Sequence, residues 1–400
     1  MSDPRRVRAD RNAVLYVAGL AASTFGSSAF ALTAGIWVKT LSGSNGLAGL
    51  VSFCVWGPSL ATPLFGLLAD RVRRRRLVVA VNAATAAALV PLWLVHDGSD
   101  VWLLFAVMTA YGLALAVLDP AESALVAGAL RPETLARVNG VRTTVTEGWK
   151  LVAPLAGAGV FVAAGGGVLA MLDAATFLVA ALACAGMRLD DTAPRRGGED
   201  WLTELRTGLR HVLGDRAMRT LLVGSGIVLA VNGLRSPGMF AAVDLLGRPP
   251  AFLGVLGSAQ GAGSVLGGLL SIRFLRAGRE VAFATAGAAV AALGGLLQCL
   301  PSVTAVAVGS AANGCGLPWL LVAGCTMVQT RTPNALQGRV ASVTTMLLFT
   351  GQTLSLPVGS LLVGLVDYRV TFAAYGVVAL LCAVRLHRIH PSAAGRDSFC

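Results

Sequence analysis

GLLADRVRRRR, residues 66–76, closes a run that carries no charged residue from Thr40 to Ala69. Five arginines crowded against such a run mark a boundary where the chain leaves an apolar medium and meets water, on the side where positive charge is retained. The rest of the chain repeats the pattern. Hydrophobic residues make up 55% of it and charged residues 13%, where a soluble domain carries roughly 25% charged residues. Apolar runs recur from end to end, each near the roughly 20 residues that cross about 30 Å of hydrocarbon as helix.

Twelve such spans are expected, at 13–38, 46–68, 77–95, 101–125, 139–164 and 168–187, and, after a polar segment, at 220–242, 251–272, 281–300, 303–328, 340–365 and 370–386. The runs are continuous and do not alternate, which excludes a transmembrane barrel and leaves helices as the way to satisfy the backbone in lipid. The fold expected is an all-α integral membrane protein of twelve transmembrane helices in two six-helix repeats. Its parts are a cytoplasmic N-terminus (1–12), a first bundle (13–187), a cytoplasmic linker with a short amphipathic helix (188–219), a second bundle (220–386) and a cytoplasmic tail (387–400). In the linker, WLTELRTGLRHVL places Trp201, Leu205, Leu209 and Val212 on one face. It reads either as a helix on the inner membrane surface or as a solvated linker helix.

Of the 32 basic residues, 27 fall in the termini and in alternate connections, against three (Lys39, Arg248 and Arg369) in the others. Both termini are therefore expected in the cytoplasm, with the chain in a bacterial inner membrane. The net charge of +12 is spread between spans and not along one amphipathic face, so no nucleic-acid partner is implied. The cysteines are scattered through apolar runs without metal-ligand spacing, and GxxxxGK[ST], GxSxG and HExxH are all missing. Neither an enzyme, nor a metal, nor a cofactor is expected. The partners expected are the lipid bilayer, a small-molecule substrate and protons, with the chain working as a monomer.

Two packing signals stand out. Gly257, Gly261, Gly263 and Gly267 form small-xxx-small pairs that let helices approach closely. NGLRSPG, 232–238, joins Pro237 to two glycines and should kink or unwind its span, as at many transport sites.

Six plus six helices around a central cytoplasmic loop resemble the major facilitator superfamily, and the opening stretch resembles its G-x-x-x-D-R-x-G-R-R loop signature. Gly66, Asp70, Arg71, Arg74 and Arg75 match, while Arg73 stands in place of the internal glycine. The resemblance implies a gating latch between these residues and an acid at the inner end of span 4, where Asp119 lies, with Glu122 one turn on. DPAESALVAGALRPETLARVNG (119–140), LDAATFL (172–178) and LQGRVASV (336–343) resemble the branch of macrolide-efflux and enterobactin-exporter proteins, which implies export of a small molecule by antiport. GWKLVAPLAGA, 148–158, resembles the antiporter signature of span 5, keeping Gly148, Pro154 and Gly157 with alanines at two glycine positions. Met108 occupies the place of the arginine expected in span 4 before Gly112.

Ionisable groups at membrane depth are costly and tend to mark pathways or proton relays. Glu147 and Lys150 lie one turn apart inside span 5, at roughly 12 and 17 Å from its start. They read either as a neutralising pair or as coupling residues, Glu147 being the expected proton carrier. Arg235 reads either as a contact for an anionic substrate group or as the partner of an acid such as Asp244. Asp173, near the outer end of span 6, reads as a structural cap or hydrogen-bonding group, as the family motif LDA implies. Asn232, Tyr111, Asn313 and Gln352 are neutral cavity candidates. The function expected is secondary export of a hydrophobic or amphipathic small molecule against protons. An uptake permease and a non-transporting sensor or scaffold of the same fold are the rivals, separable by the direction and proton dependence of substrate flux.

Overall fold

The computed structural model describes residues 4–61, 72–130, 132–187, 201–275, 279–333 and 336–393. Within them the chain is all helix and turn, and no strand forms. The helices are α1 (Pro4–Ser42), α2 (Asn45–Trp56), α3 (Arg74–Leu89), α4 (Val101–Ala129), α5 (Pro132–Gly186), α6 (Trp201–Gly214), α7 (Arg216–Arg235), α8 (Gly238–Leu245), α9 (Phe252–Phe274), α10 (Glu280–Leu297), α11 (Val303–Arg331), α12 (Gln337–Leu362) and α13 (Tyr368–Ala393). Ten of the helical stretches among the described residues are long and apolar enough to cross a bilayer.

Those ten contain eleven of the twelve expected spans, because α5 holds two. Its apolar stretch of 50 residues would run roughly 75 Å as one helix against about 30 Å of hydrocarbon. Gly165 divides it, with φ 82° and ψ 170°, a backbone that costs a residue with a Cβ but not glycine. The remaining span, 46–68, is described as far as Ala61, where α2 has passed into a 3-10 turn (Gly57–Ala61). The chain divides into two compact units, one of Met1–Gly197 with Pro250–Gly254 and the other of Gly198–Pro249 with Val255–Cys400.

In the first unit α1 packs along both arms of α5, around a core that includes Phe30, Tyr111 and Phe177. Close approach at two glycines makes this possible. A Cβ at Gly112 would overlap the Val55 and Cys54 carbonyl oxygens of α2, and one at Gly157 would come 2.6 Å from the Ala29 carbonyl oxygen of α1. In the second unit α9 and α11 meet in the same way. A Cβ on Gly263 would overlap the Ala311 carbonyl, and Trp319 Nε1 donates to the Gly267 carbonyl oxygen at 2.8 Å. Two of the four glycines that the sequence offers for packing are thus at a backbone-to-backbone crossing.

Hydroxyls inside the spans bond back to their own helices, as Thr33 does to Ala29 and Ser360 to Leu356, so polar atoms are satisfied without leaving the apolar medium. At one end of α7, Asp215 is the N-cap and accepts from the Ala217 and Met218 amides at 2.8 and 3.0 Å, while Arg331 Nη1 lies 3.2 Å from its other oxygen. Partial burial pushes the Asp215 carboxyl up, but the Met218 amide, the Arg331 guanidinium and the Ala217 amide outweigh it and hold the group below its ordinary range. At the other end, NGLRSPG breaks the span less than expected. Ser236 and Pro237 keep right-handed helical angles, and the chain steps from α7 to α8 through short i→i+3 bonds at Met239 and Phe240.

The amphipathic segment is a helix, α6, and its apolar face has a protein partner. Val212 is buried and Leu205 packs on the core of the second unit, with Gly208 against the Arg339 carbonyl at the start of α12. Leu209 and Leu213 stay exposed.

Candidate functional site

Of the loop signature, Gly66, Asp70 and Arg71 lie outside the described residues. Arg74 and Arg75 begin α3, and their guanidiniums reach carbonyls near helix ends, Arg74 Nη1 to Ala124 of α4 at 3.3 Å and Arg75 Nη2 to Ala185 in the last turn of α5. Cations suit helix C-termini, where orphan carbonyls and the dipole are negative. Asp119 meets a different arginine. Arg142 Nη2 of α5 bonds it at 2.5 Å, with Arg142 Nη1 donating to Ser123 Oγ at 3.0 Å. Glu122 is partly buried one turn further on. The Tyr16 hydroxyl, buried and with no hydrogen-bond partner among the described residues, lies within electrostatic reach of Glu122 and Arg142. An arginine, two acids and a phenol therefore gather where α1, α4 and α5 converge.

Further along the first arm of α5, Lys150 Nζ donates to Glu147 Oε1 at 2.6 Å, with both side chains partly exposed. Between them Trp149 points the other way, its Nε1 on the Ala21 carbonyl at 2.9 Å and its ring edge-on to Phe25. Within the antiporter-like motif the structure separates the residues. Pro154 is buried and Gly157 is pressed on α1, whereas a Cβ at Gly148 would have nothing within 4 Å.

Tyr111 is 1% exposed, and its hydroxyl donates to Asp173 Oδ2 at 3.1 Å. Asp173 is equally buried, on the second arm of α5, with Thr176 Oγ1 at 3.1 Å from Oδ1. A cavity of about 60 Å³ adjoins Asp173 and Thr176, bounded by α1 and both arms of α5.

In the second unit Arg235, 4% exposed, ends α7 within a neutral network. Its Nε and Nη2 donate to Asn232 Oδ1 at 3.1 and 2.9 Å and its Nη1 to Gln298 Oε1 at 2.6 Å. The guanidinium carbon stands 5.1 Å from the Tyr375 ring centroid and 5.4 Å from that of Phe372. Gln298 Nε2 donates to Ser310, Asn313 Nδ2 donates to Gln298, and the Tyr375 hydroxyl donates to Asn313 Oδ1 at 2.7 Å. The network joins α7, the end of α10, α11 and α13, and the cation's partners named here are amides and aromatic faces. Asp244 is not among them. Gln352, half-buried on α12, lies with its backbone carbonyl against Gly233 of α7.

The sequence had brought forward Asn232, Arg235 and Asn313 singly. It missed Gln298 and Tyr375, which join them, and Arg142, which holds Asp119. A lone amide ending the apolar run GGLLQCL was the available signal for Gln298.

The model of the Major Facilitator Superfamily matches residues 16–245 and 237–399. The multidrug efflux pump Tap of Mycobacterium tuberculosis (strain ATCC 25618 / H37Rv) is 28% identical over 364 residues, 86% of either chain, and Tap of Mycobacterium bovis (strain BCG / Pasteur 1173P2) aligns to the same extent. Among solved structures, the fold resembles the POT family transporter PepTSo, with a TM-score of 0.75 at 12% identity over 97% of this chain and 99% of that one. The nucleoside transporter NupG gives 0.71 at 14% identity over 94% and 98%. These last two are likenesses of fold.

Proposed function

The chain belongs to the major facilitator superfamily, and from that premise we propose that it is a secondary active exporter, working by alternating access and driven by protons. Its cargo is a hydrophobic or amphipathic small molecule. The observation that carries this reading is the similarity to a multidrug efflux pump along 86% of both chains, which is too extensive to come from one shared motif. Charge distribution supports the topology of this reading: with 27 of 32 basic residues on one side, both termini lie in the cytoplasm of a bacterial cell. The pump in this reading is a single chain in the inner membrane.

Gating rests on the cluster at the inner ends of α1, α4 and α5. Arg142 and Asp119 hold α4 to α5, and Arg74 and Arg75 bind helix-end carbonyls. Asp70, with Gly66 and Arg71, completes the latch. A latch of this kind biases a two-state equilibrium only by its differential contacts in the two states. Proton coupling needs a carboxyl that exchanges its proton with both sides in turn, and Glu147, Glu122 and Asp173 are the candidates among the acids within the spans of the first unit, Asp119 being assigned to the latch. Arg235, Asn232, Tyr111, Asn313 and Gln352 are buried or half-buried polar groups among which cargo selectivity is to be sought.

Expression in a bacterial host stripped of its own pumps tests the function. Cells carrying the chain should accumulate less ethidium than cells without it, and an uncoupler that dissipates the proton gradient should remove the difference. Greater accumulation in expressing cells would instead indicate uptake.

A further inference from the structure

We propose that Asp173 is the carboxyl that takes up and releases the coupling proton. This rests on the reading of the chain as a proton-driven exporter and names the residue that couples.

Asp173 sits eight residues beyond the Gly165 break and five beyond the expected start of its span at 168, roughly 8 Å along the helix at 1.5 Å per residue, which places it in the outer half of a hydrocarbon layer of about 30 Å. Two other acids of the first unit have a cation bonded to them, Asp119 by Arg142 and Glu147 by Lys150. Asp173 has none among the described residues. The groups that meet its carboxyl are Tyr111 from α4, Thr176 from its own arm and the backbone of α1 at Gly26, where a Cβ would overlap both Asp173 Oδ1 and Thr176 Oγ1. From the first arm of α5, Ala156 and Gly157 face the cavity, and Phe25 and Ala29 of α1 complete its apolar wall. Among the described residues Tyr111 is the one titratable group facing Asp173 from these elements, and no charged group does.

An uncompensated carboxylate at this depth is expensive. Its charge can therefore exist only when water enters, and the adjoining cavity of about 60 Å³ presents an apolar wall, so in this conformation the carboxyl is kept dry. Charge on Asp173 is thus tied to a change of conformation that brings water to it. That is the behaviour a carrier requires. As a hydrogen-bond acceptor for Tyr111 an amide would serve as well, without any ionic cost; what a carboxyl adds at this position is an exchangeable proton.

The step balances simply. When Asp173 is open to water on the outer side, a proton from that water bonds to its carboxylate oxygen and the negative charge is lost. When it is open to the cytoplasm, that O–H breaks, the proton passes to water there, and the carboxylate returns with the Tyr111 hydroxyl donating to it. Cargo leaves between the two events.

Infrared difference spectra of the full chain in phosphatidylethanolamine–phosphatidylglycerol vesicles, taken between about pH 5 and about pH 9, test this without any cargo. The wild type should show a protonated-carboxyl C=O band that appears on acidification, is gone in Asp173→Asn, and is displaced in frequency in Tyr111→Phe, which keeps the acid and removes its hydrogen bond. A band that titrates identically in Asp173→Asn, or an Asp173 band present and unchanged at both pH values, would overturn the proposal. Transport gives the second readout, with ethidium as probe. Asp173→Asn should lower gradient-driven ethidium export at least tenfold while ethidium exchange without a gradient persists. Export as fast as wild type in that variant would overturn the assignment yet leave proton-driven export standing. A titrating Asp173 in a wild type that moves no ethidium would do the reverse.

Discussion

Tyr375→Phe isolates one bond in the network around Arg235. The substitution keeps the ring, its packing and its position under the guanidinium, and deletes only the hydroxyl that donates to Asn313 Oδ1 at 2.7 Å. Both residues are 0% exposed, so water cannot replace the lost donor. Leaving a buried acceptor unpaired costs about 1–3 kcal/mol. No cavity term adds to this, because a hydroxyl is all that leaves, and Asn313 stays anchored through Nδ2 to Gln298 and to the Gly309 carbonyl. For a unit of this size each kcal/mol lowers the midpoint by roughly 2–4 °C, so the expected fall is about 2–12 °C, read as loss of the monodisperse peak after heating in detergent. Ethidium transport at low temperature should change less than twofold. In an Asn313→Leu background the same substitution should cost almost nothing, since the acceptor is already gone. An unchanged midpoint together with a large rise in the KM for transport would refute this reasoning and move Tyr375 and Asn313 from struts of the fold to contacts of the cargo.

Three further outcomes follow from particular contacts. Gly157→Ala should destabilise the first unit, by about 1–3 kcal/mol for overpacking against the Ala29 carbonyl, whereas Gly148→Ala, with open space around it, should be neutral or raise the midpoint through up to about 1 kcal/mol of helix propensity; thermal midpoints of the two variants side by side decide it. Asp215→Ala removes a helix N-cap worth about 0.5–2 kcal/mol. Because the folded Asp215 carboxyl titrates below its ordinary range, its contribution is present above about pH 4 and lost as pH falls through the folded pKa, so the gap between wild type and variant should close in acid; a gap that is constant with pH would show that the charge plays no part. An alkaline phosphatase fused after Arg196 should be inactive and a cytoplasmic reporter there active, since seven arginines lie between positions 188 and 219.

Membrane topology was legible because it depends on one-dimensional facts. An apolar run must match a bilayer, and arginines must stay on one side of it. The same facts could not show that Gly165 turns one helical element into two spans, or that Pro237 leaves α7 and α8 nearly continuous, because both depend on backbone angles that neighbouring helices impose. Single intramembrane polar residues were legible too, as costs that require explanation. Their partners were not. Arg235 reads in the sequence as a charge in need of an acid, but its partners are Asn232, Gln298 and two aromatic faces, residues up to 140 positions away that only the fold brings together. Asp119 likewise reads as the counterpart of Arg74 and Arg75, yet the arginine bonded to it is Arg142 on the next helix. Asp173 reads as structural because the family motif LDA implies a cap or hydrogen bond there; its burial against Tyr111 and beside a cavity, without a cation among the described residues, is a three-dimensional fact.

Proton-coupled export is tested most directly in vesicles holding only this chain and lipid. With an acidic lumen and ethidium outside, those molecules whose cytoplasmic face is outward should concentrate ethidium inside above the external level, and an ionophore that equalises pH should release it. Ethidium accumulating equally with and without the pH gradient, or moving out of the lumen together with protons, would contradict export by proton antiport.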